Sequence, residues 1–506
     1  QAAEKCREFL LKKVETLKAP NTNIAIIQQN ILLKYRDLFW FLLERYGEAA
    51  IEVRQSYVYA VGNYYMASFE KYIRSMQKLQ TVIADKLDLI GCEESAKRGL
   101  FTGKLALKDK TNVFTLGDRI QVLTNPDLGI ILTHVAEDQN MKFPYEAIFK
   151  SINRLMMDNA CSEYIFTTEF FASPRSKGGR AGSVDVSSIG TTFSEIFEPT
   201  LKLLQSTTKQ YVDTCFDAVG ILLCVRLNSQ NIRIMQKRRI PCLESFMNAA
   251  NMLLWPRFQA IMDLHIDSLK KAVPSKMLAS KDVHPHYVTR RYAEFAASIL
   301  TLNQGYDDAL LTNSLLRLRT EVENLLARMS GELDNKKNRL IFLINNYDLV
   351  VSILSEYTVG SFDQEKAHFN QMLDIKTADF VEEETLKPHF LPLMSFVTTA
   401  EASKELATLE TGKFESVATD FNNTWKTALT TINSSVMQSF PNFQNGARIL
   451  HSAFTQLLLY YRRFLTVWDK RFGNRKQSVQ PVGMQSVMVE IKKFRCVRLR
   501  WRWEGD

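Results

Sequence analysis

His284-Pro-His286 is the pair most like a metal ligand set among the seven histidines of this chain. No cysteine or carboxylate accompanies it at a familiar zinc spacing, so the reading is no metal site and no cofactor. The string GLFTGK (99–104) ends in a Gly-Lys pair, but Leu105 stands where a phosphate-binding loop needs Ser or Thr. GGRAGS (178–183) has the glycine content of a phosphate cradle. Without a strand leading in and a helix leading out, its amides have no reason to converge on an anion, and it reads as a solvated loop. Glu382-Glu383-Glu384 is a carboxylate run whose members fan around a helix axis, which suits a solvated face better than a substrate. Neither a GxSxG elbow nor an HExxH helix is present. Catalytic residues are therefore expected to be none.

Charge offers a different chemistry. The formal net charge is +9, and residues 462–506 hold twelve Lys or Arg against four Asp or Glu, which leaves about +1 for residues 1–461. Arginines alternate with aromatics there (Phe464, Trp468, Phe472, Phe494, Trp501, Trp503), a pattern that can stack bases and neutralise phosphates. The same composition suits an acidic membrane surface or the solvated end of a bundle. A nucleic-acid-binding protein using this basic C-terminal segment thus stands as the alternative reading. Lys492 and Lys493, and the pair Arg290-Arg291, are the candidate contacts for an acidic membrane or partner; an intramolecular salt bridge is the plainer role for the latter.

These residues must be carried by helices. The chain has only 20 glycines and 13 prolines in 506 residues, with no proline between Pro20 and Pro126 or between Pro285 and Pro388. Hydrophobic residues at 46% and charged residues at 24% exclude general disorder. From residue 57 to 90 apolar side chains recur every three or four positions (Val61, Tyr65, Phe69, Met76, Leu79, Ile83, Leu87, Ile90), predicting one helix of roughly 50 Å that stops at Gly91. Leu315, Leu318, Val322, Leu325 and Met329 form a two-heptad stripe, short for a coiled coil and apt for a helix packed within its own chain. Trp255, Phe258, Tyr292 and Phe342 are expected in bundle cores. Helical signal fades over 99–142, where glycines and β-branched residues suggest loops and a hairpin, and again at 173–183.

The expected fold class is all-α, a series of helical bundles with a few irregular or short β segments. The expected divisions are 1–98, a loop-rich 99–142, then 143–272, 285–395 and 396–494, with a basic tail at 495–506. The seven cysteines include no CxxC and read as reduced and buried. No secretory signal opens the chain, no apolar run approaches the ~20 residues of a membrane span, and the first residue, Gln1, implies that the natural start is missing.

Several strings are distinctive beyond composition. ILLKYRDLFWFL (31–42), NVFTLGDR (112–119), PYEAIFKSINRLMMDNACSEYIFTTEFF (144–171), LLWPRF (253–258), HPHYVTRRYAEF (284–295), IFLINNYD (341–348), SFPNFQNGARIL (439–450) and MVEIKKF (488–494) occur in this order. Together they resemble the vacuolar-protein-sorting fifty-two (Sac-two) family, subunits of the Golgi-associated retrograde protein (GARP) complex, over nearly all of residues 1–494. The resemblance implies an elongated CATCHR-type helical rod and a non-enzymatic subunit of a vesicle tether shared with the endosome-associated recycling (EARP) complex. It implies retrograde transport from endosomes to the trans-Golgi network and endosomal recycling. Implied partners are the other GARP and EARP subunits, a Rab-six-type GTPase in its GTP form, and SNAREs, with peripheral contact with acidic membrane and no nucleic acid expected beside them. The implied location is cytosolic, peripheral on trans-Golgi and endosome membranes. Family members carry an N-terminal coiled-coil region through which subunits assemble, and this chain is expected to begin after it. RCVRLRWRWEGD (495–506) departs from the family's ending.

Overall fold

The computed structural model describes residues 1–19, 23–93, 113–125, 128–172, 186–278, 282–306, 308–357, 362–402, 410–473, 475 and 477–495. The strings at 99–104 and 178–183 and the tail beyond 495 lie outside the described residues. The described residues form an all-α protein, whose one β feature is an isolated parallel bridge, Gln80 to Phe143. They divide into two compact units, Gln1–Asp267 and Ser268–Asp506.

In the first unit the helices run α1 (Ala2–Glu15), α2 (Ile24–Asn30), α3 (Arg36–Arg45), α4 (Gly47–Leu79), the short α5 (Gln121–Thr124) and α6 (Thr133–Asp138), α7 (Tyr145–Phe171), α8 (Val186–Thr214), α9 (Ala218–Arg238) and most of α10 (Glu244–Lys271). α4 packs on α1, α3 and α8, and α7 on α3, α8 and α9. Gly62 permits the α4–α8 approach, since a side-chain carbon there would lie 3.3 Å from the Ile196 carbonyl oxygen. α9 opens as an unbroken buried run, Ala218 to Asn228, so its first three turns have no solvent face, while Arg233 and Gln236 to Arg238 further along are exposed.

α4 has about the expected length but not the expected position. It begins ten residues earlier and ends at Leu79, so Ile83, Leu87 and Ile90 do not extend its stripe. The cause is a tertiary bond invisible in local spacing. Phe143 donates its amide to the Leu79 carbonyl at 2.9 Å and accepts from the Thr81 amide at 2.9 Å, drawing Gln80 into extended backbone. The expected hairpin is also absent among the described residues of 99–142, which form a 3₁₀ turn, α5, α6 and connecting loop.

The second unit holds α11 (Pro274–Met277), α12 (Tyr287–Asn303), α13 (Ala309–Gly331), α14 (Lys336–Ser355), α15 (Asp363–Asp379), a π-helical stretch (Phe380–Leu386), α16 (Lys387–Ala402), α17 (Thr411–Ser439), α18 (Phe443–Phe472) and α19 (Met484–Arg495). α12 to α15 pack on one another, as do α16 to α19, and the π-helical stretch touches both groups through α14 and α18. The side chains of Asp308, Asn335 and Asn442 accept from the first-turn amides of α13, α14 and α18, the capping that these residue types favour. Leu315, Leu318, Val322, Leu325 and Met329 are all buried against α12 and α14, each stabilising by roughly 1.5–3 kcal/mol. The stripe therefore serves its own chain.

Glu382 to Glu384 sit in the π-helical stretch rather than on a regular helix. Pro388, which lacks an amide hydrogen, and a non-helical Phe390 (φ −129°, ψ 17°) follow within one turn. Phe258, Tyr292 and Phe342 are fully buried as expected, whereas Trp255 is only half-buried, with the buried Arg226 guanidinium 5.9 Å from its ring.

Candidate interaction surface

The structure divides the histidine pair. The His286 ring caps α12: its Nδ1 accepts from the Val288 amide at 3.3 Å, which leaves Nε2 to donate to the Met277 carbonyl at 3.3 Å. His284 points elsewhere, into a 2.8 Å bond with Asp282. Among the described residues no three potential ligands gather for a metal. Arg290 is exposed and lies 3.7 Å from Glu294, while Arg291 is buried with its guanidinium 4.5 Å from the Tyr287 ring centre. Lys492 and Lys493 stand exposed on another helix, α19, where Lys493 bonds Glu490 at 2.8 Å. The structure thus separates the two candidate pairs and leaves Arg290, Lys492 and Lys493 as the cations of the four that reach solvent.

Three of the distinctive strings meet in one place. The Asn346 Oδ1 accepts from the His286 amide at 2.8 Å and the Thr289 hydroxyl at 2.6 Å, and its Nδ2 donates to the Phe342 carbonyl at 2.7 Å. Asn345 donates to the carbonyls of Val283 (2.9 Å) and Ser439 (3.3 Å). Asn442 donates to Asp348 at 2.7 Å, where burial raises the Asp348 carboxyl above its ordinary range. Residues 284–295, 341–348 and 439–450 are thereby bonded across α12, α14 and the turn before α18. Buried amides left unpaired would cost about 1–3 kcal/mol each, so the strings fix one register of these helices.

Three buried carboxylate clusters, which the spacing analysis did not anticipate, repeat this theme. Glu163 on α7 accepts from Tyr57 (2.5 Å) and Tyr65 (3.2 Å) of α4 and from Gln28 of α2 (2.8 Å), and among the described residues no cation pairs with it. Burial pushes its carboxyl above the usual range, against the opposing pull of those donors. Arg119 bridges Glu146 (2.6 Å) and Asp217 (2.6 Å), all nearly closed to solvent. Asp217 also caps α9 through the Gly220 amide at 2.9 Å. A side-chain carbon at Gly220 would fall 2.5 Å from Asp217 and 2.7 Å from Arg119, so only glycine fits under this bridge. Glu146, sharing one guanidinium with a second acid, is raised by burial. In the second unit Glu365 accepts from Tyr292 and pairs with Arg319 at 2.8 Å, beside a 2.6 Å contact of His368 with Glu323.

The signal for Glu163 was present in the sequence. Met156, Ala160, Glu163, Thr167 and Phe170 share a three-four spacing, and all are buried, so an acid sits inside an apolar stripe. In each cluster the partners of the acid are side chains of the same unit. Such an arrangement can lock helices in register. The outward faces of these helices then remain for recognition, and no described helix is long and apolar enough to cross a membrane.

Comparison with known proteins gives a consistent result. A family profile described as "Vps52, C-terminal" matches residues 60–381. The chain is 37% identical over 500 residues to vacuolar protein sorting-associated protein 52 A of Arabidopsis thaliana, covering 98% of this chain and 68% of that one. It is 34% identical over 504 residues to the Homo sapiens homologue of the same name, again covering 98% and 68%. The Saccharomyces cerevisiae protein of that name is 28% identical over 385 residues, 68% of this chain and 58% of the relative. A solved structure of S. cerevisiae Exo70 aligns with 97% of this chain and 86% of its own at 10% identity, with a TM-score of 0.48, too low to bear on the fold.

Proposed function

The chain belongs to the Vps52 family, and on that footing we propose that it acts as a non-enzymatic subunit of the GARP tether, shared with EARP, in retrograde transport from endosomes to the trans-Golgi network and in endosomal recycling. The observation that carries this reading is the match along 98% of the chain to proteins of one name in plant and animal. The helix-locking clusters support it, because a subunit that links partners must keep its surfaces in fixed positions rather than enclose a reaction. Its partners in this reading are the other subunits of the complex, a Rab-six-type GTPase in its GTP form, and SNAREs. Its location is peripheral on trans-Golgi and endosome membranes. Arg290, Lys492 and Lys493 are proposed contacts for acidic partners or membrane, and the segments 1–98, 143–272, 285–395 and 396–494 are proposed as successive bundles of a CATCHR-type rod.

Co-expression of the chain, joined to the N-terminal region of a Vps52 relative, with the other subunits tests the reading. A single species containing all subunits after affinity capture and size exclusion is expected. Elution of the chain alone, with the remaining subunits assembled without it, would reject it.

A further inference from the structure

A groove in the second unit has the form and charge of a docking site. It is lined by Met437 of α17, by Phe443, Ala447, Leu450 and Phe454 of α18, and by Phe494 of α19, and encloses about 460 Å³. The four α18 positions are spaced four, three and four along one side of the helix; Leu450 and Phe454 belong to the face that α18 buries, and Phe443 and Ala447 stand exposed beyond it. Leu450 and Phe454 are recessed to 6% and 2% exposure and form the floor, while Phe443, at 47%, stands at the rim. Phe454 and Phe494 meet at 5.7 Å, so α19 closes one wall.

The charges around this groove are unequal. Its charged or titratable lining residues, Arg448 and His451, are both of basic type, and Lys492 and Lys493 directly precede Phe494. Two acids lie near. Glu490 is taken by Lys493 at 2.8 Å, and Asp348, half-buried and bonded to Asn442, feels the charge of Arg448. Arg448 donates only to the neutral Asn445 at 3.1 Å, and Lys492 has no ion pair among the described residues. A positive surplus therefore borders an apolar trough.

We propose that this groove receives an amphipathic helix of a partner protein, one that lays apolar side chains at i, i+3 or i+4, and i+7 into the trough and carries carboxylates along its flank. The recessed floor favours a helix over a lipid surface, because a bilayer presses against projecting apolar side chains and cannot enter a trough whose floor is this closed. The inference goes beyond membership of a tether and survives or fails independently of subunit co-purification.

The test uses the full chain and a labelled peptide of about 18 residues with leucines at those helical positions and glutamates elsewhere, read by fluorescence anisotropy. A second peptide replaces the glutamates with lysines, and vesicles of phosphatidylserine and phosphatidylcholine form a third arm. The Leu/Glu peptide is expected to bind at least about tenfold more tightly than the Leu/Lys peptide, and Ala447→Trp, which fills the trough from an exposed position, is expected to weaken it by a similar factor. Arg448→Glu with Lys492→Glu is expected to remove the preference for glutamate and the salt dependence. Gln444→Trp, at another exposed α18 position that lines the groove, supplies a second filling variant if Ala447→Trp lowers the melting temperature. Equal binding of the two peptides, binding unchanged by either filling variant, or groove-dependent binding of vesicles but not of the Leu/Glu peptide would overturn the proposal.

Discussion

Glu163 in the first unit and Glu365 in the second meet the same difficulty by different means. Each is a carboxylate inside a helical core, where an uncompensated charge costs several kcal/mol. Glu163 is held by two phenols and an amide, all neutral. Glu365 is held by one phenol and a guanidinium, with a second acid–base pair, Glu323 and His368, alongside. Neutral donors leave the first acid raised in pKa and therefore sensitive to pH. A counter-charge makes the second dependent on one residue, Arg319. Helices fastened by polar clusters of either kind have one permitted register, which apolar stripes alone specify less sharply.

A core position without a polar cluster sets the scale for breaking this contrast. Phe258→Ala is expected to destabilise the first unit by about 3–5 kcal/mol, and Trp255→Ala by clearly less because that ring is only half-buried; equal losses in chemical denaturation would contradict the burial. Arg319→Ala, which strands Glu365 at 8% side-chain exposure, is expected to cost about 3–5 kcal/mol in the second unit. Adding Glu365→Gln should return much of that loss. If it returns none, the damage is lost packing and not a stranded charge.

Smaller effects sharpen the other half. Tyr57→Phe removes one donor to Glu163 and is expected to cost about 1–3 kcal/mol by the same measurement, while Arg319→Ala leaves the first unit's protection in native-state hydrogen exchange unchanged. Glu163→Gln is expected to shift stability by under about 1 kcal/mol near neutral pH, with a particular pH signature. The folded pKa of Glu163 is raised, so its stabilising contribution is fully present below the unfolded value near about 4.3 and is lost as pH rises through the folded value. Wild type should therefore lose stability relative to the glutamine variant as pH increases across that window. Parallel stability curves for the two proteins would show that Glu163 does not titrate in this way.

What local spacing reveals and hides follows from these same residues. The stripe of α13 was legible because its partners, α12 and α14, are adjacent in the chain and the pattern needed only period 3.6. The end of α4 was not, because the bond that stops it comes from Phe143, more than sixty residues away. Trp255 looked like core by residue type, yet it lies one residue from the Leu254 face and only half inside. Glu163 was readable as an acid within an apolar stripe, while its donors Tyr57 and Gln28 belong to helices that no spacing rule would pair with it. The candidate cations were visible as residue types. Their division into a buried Arg291 and an exposed Lys492 required the packed helices.

The central claim is that the recurring polar residues hold the helices and that recognition happens on outer faces such as the α17–α18–α19 groove. Hydrogen exchange of the full chain, alone and in complex with the other subunits, addresses it most directly. The expected result is unchanged protection around Tyr57, Glu163, Arg319 and Glu365 on assembly, with increased protection confined to exposed faces. Loss or gain of protection at those buried clusters, with the outer faces unaltered, would contradict it.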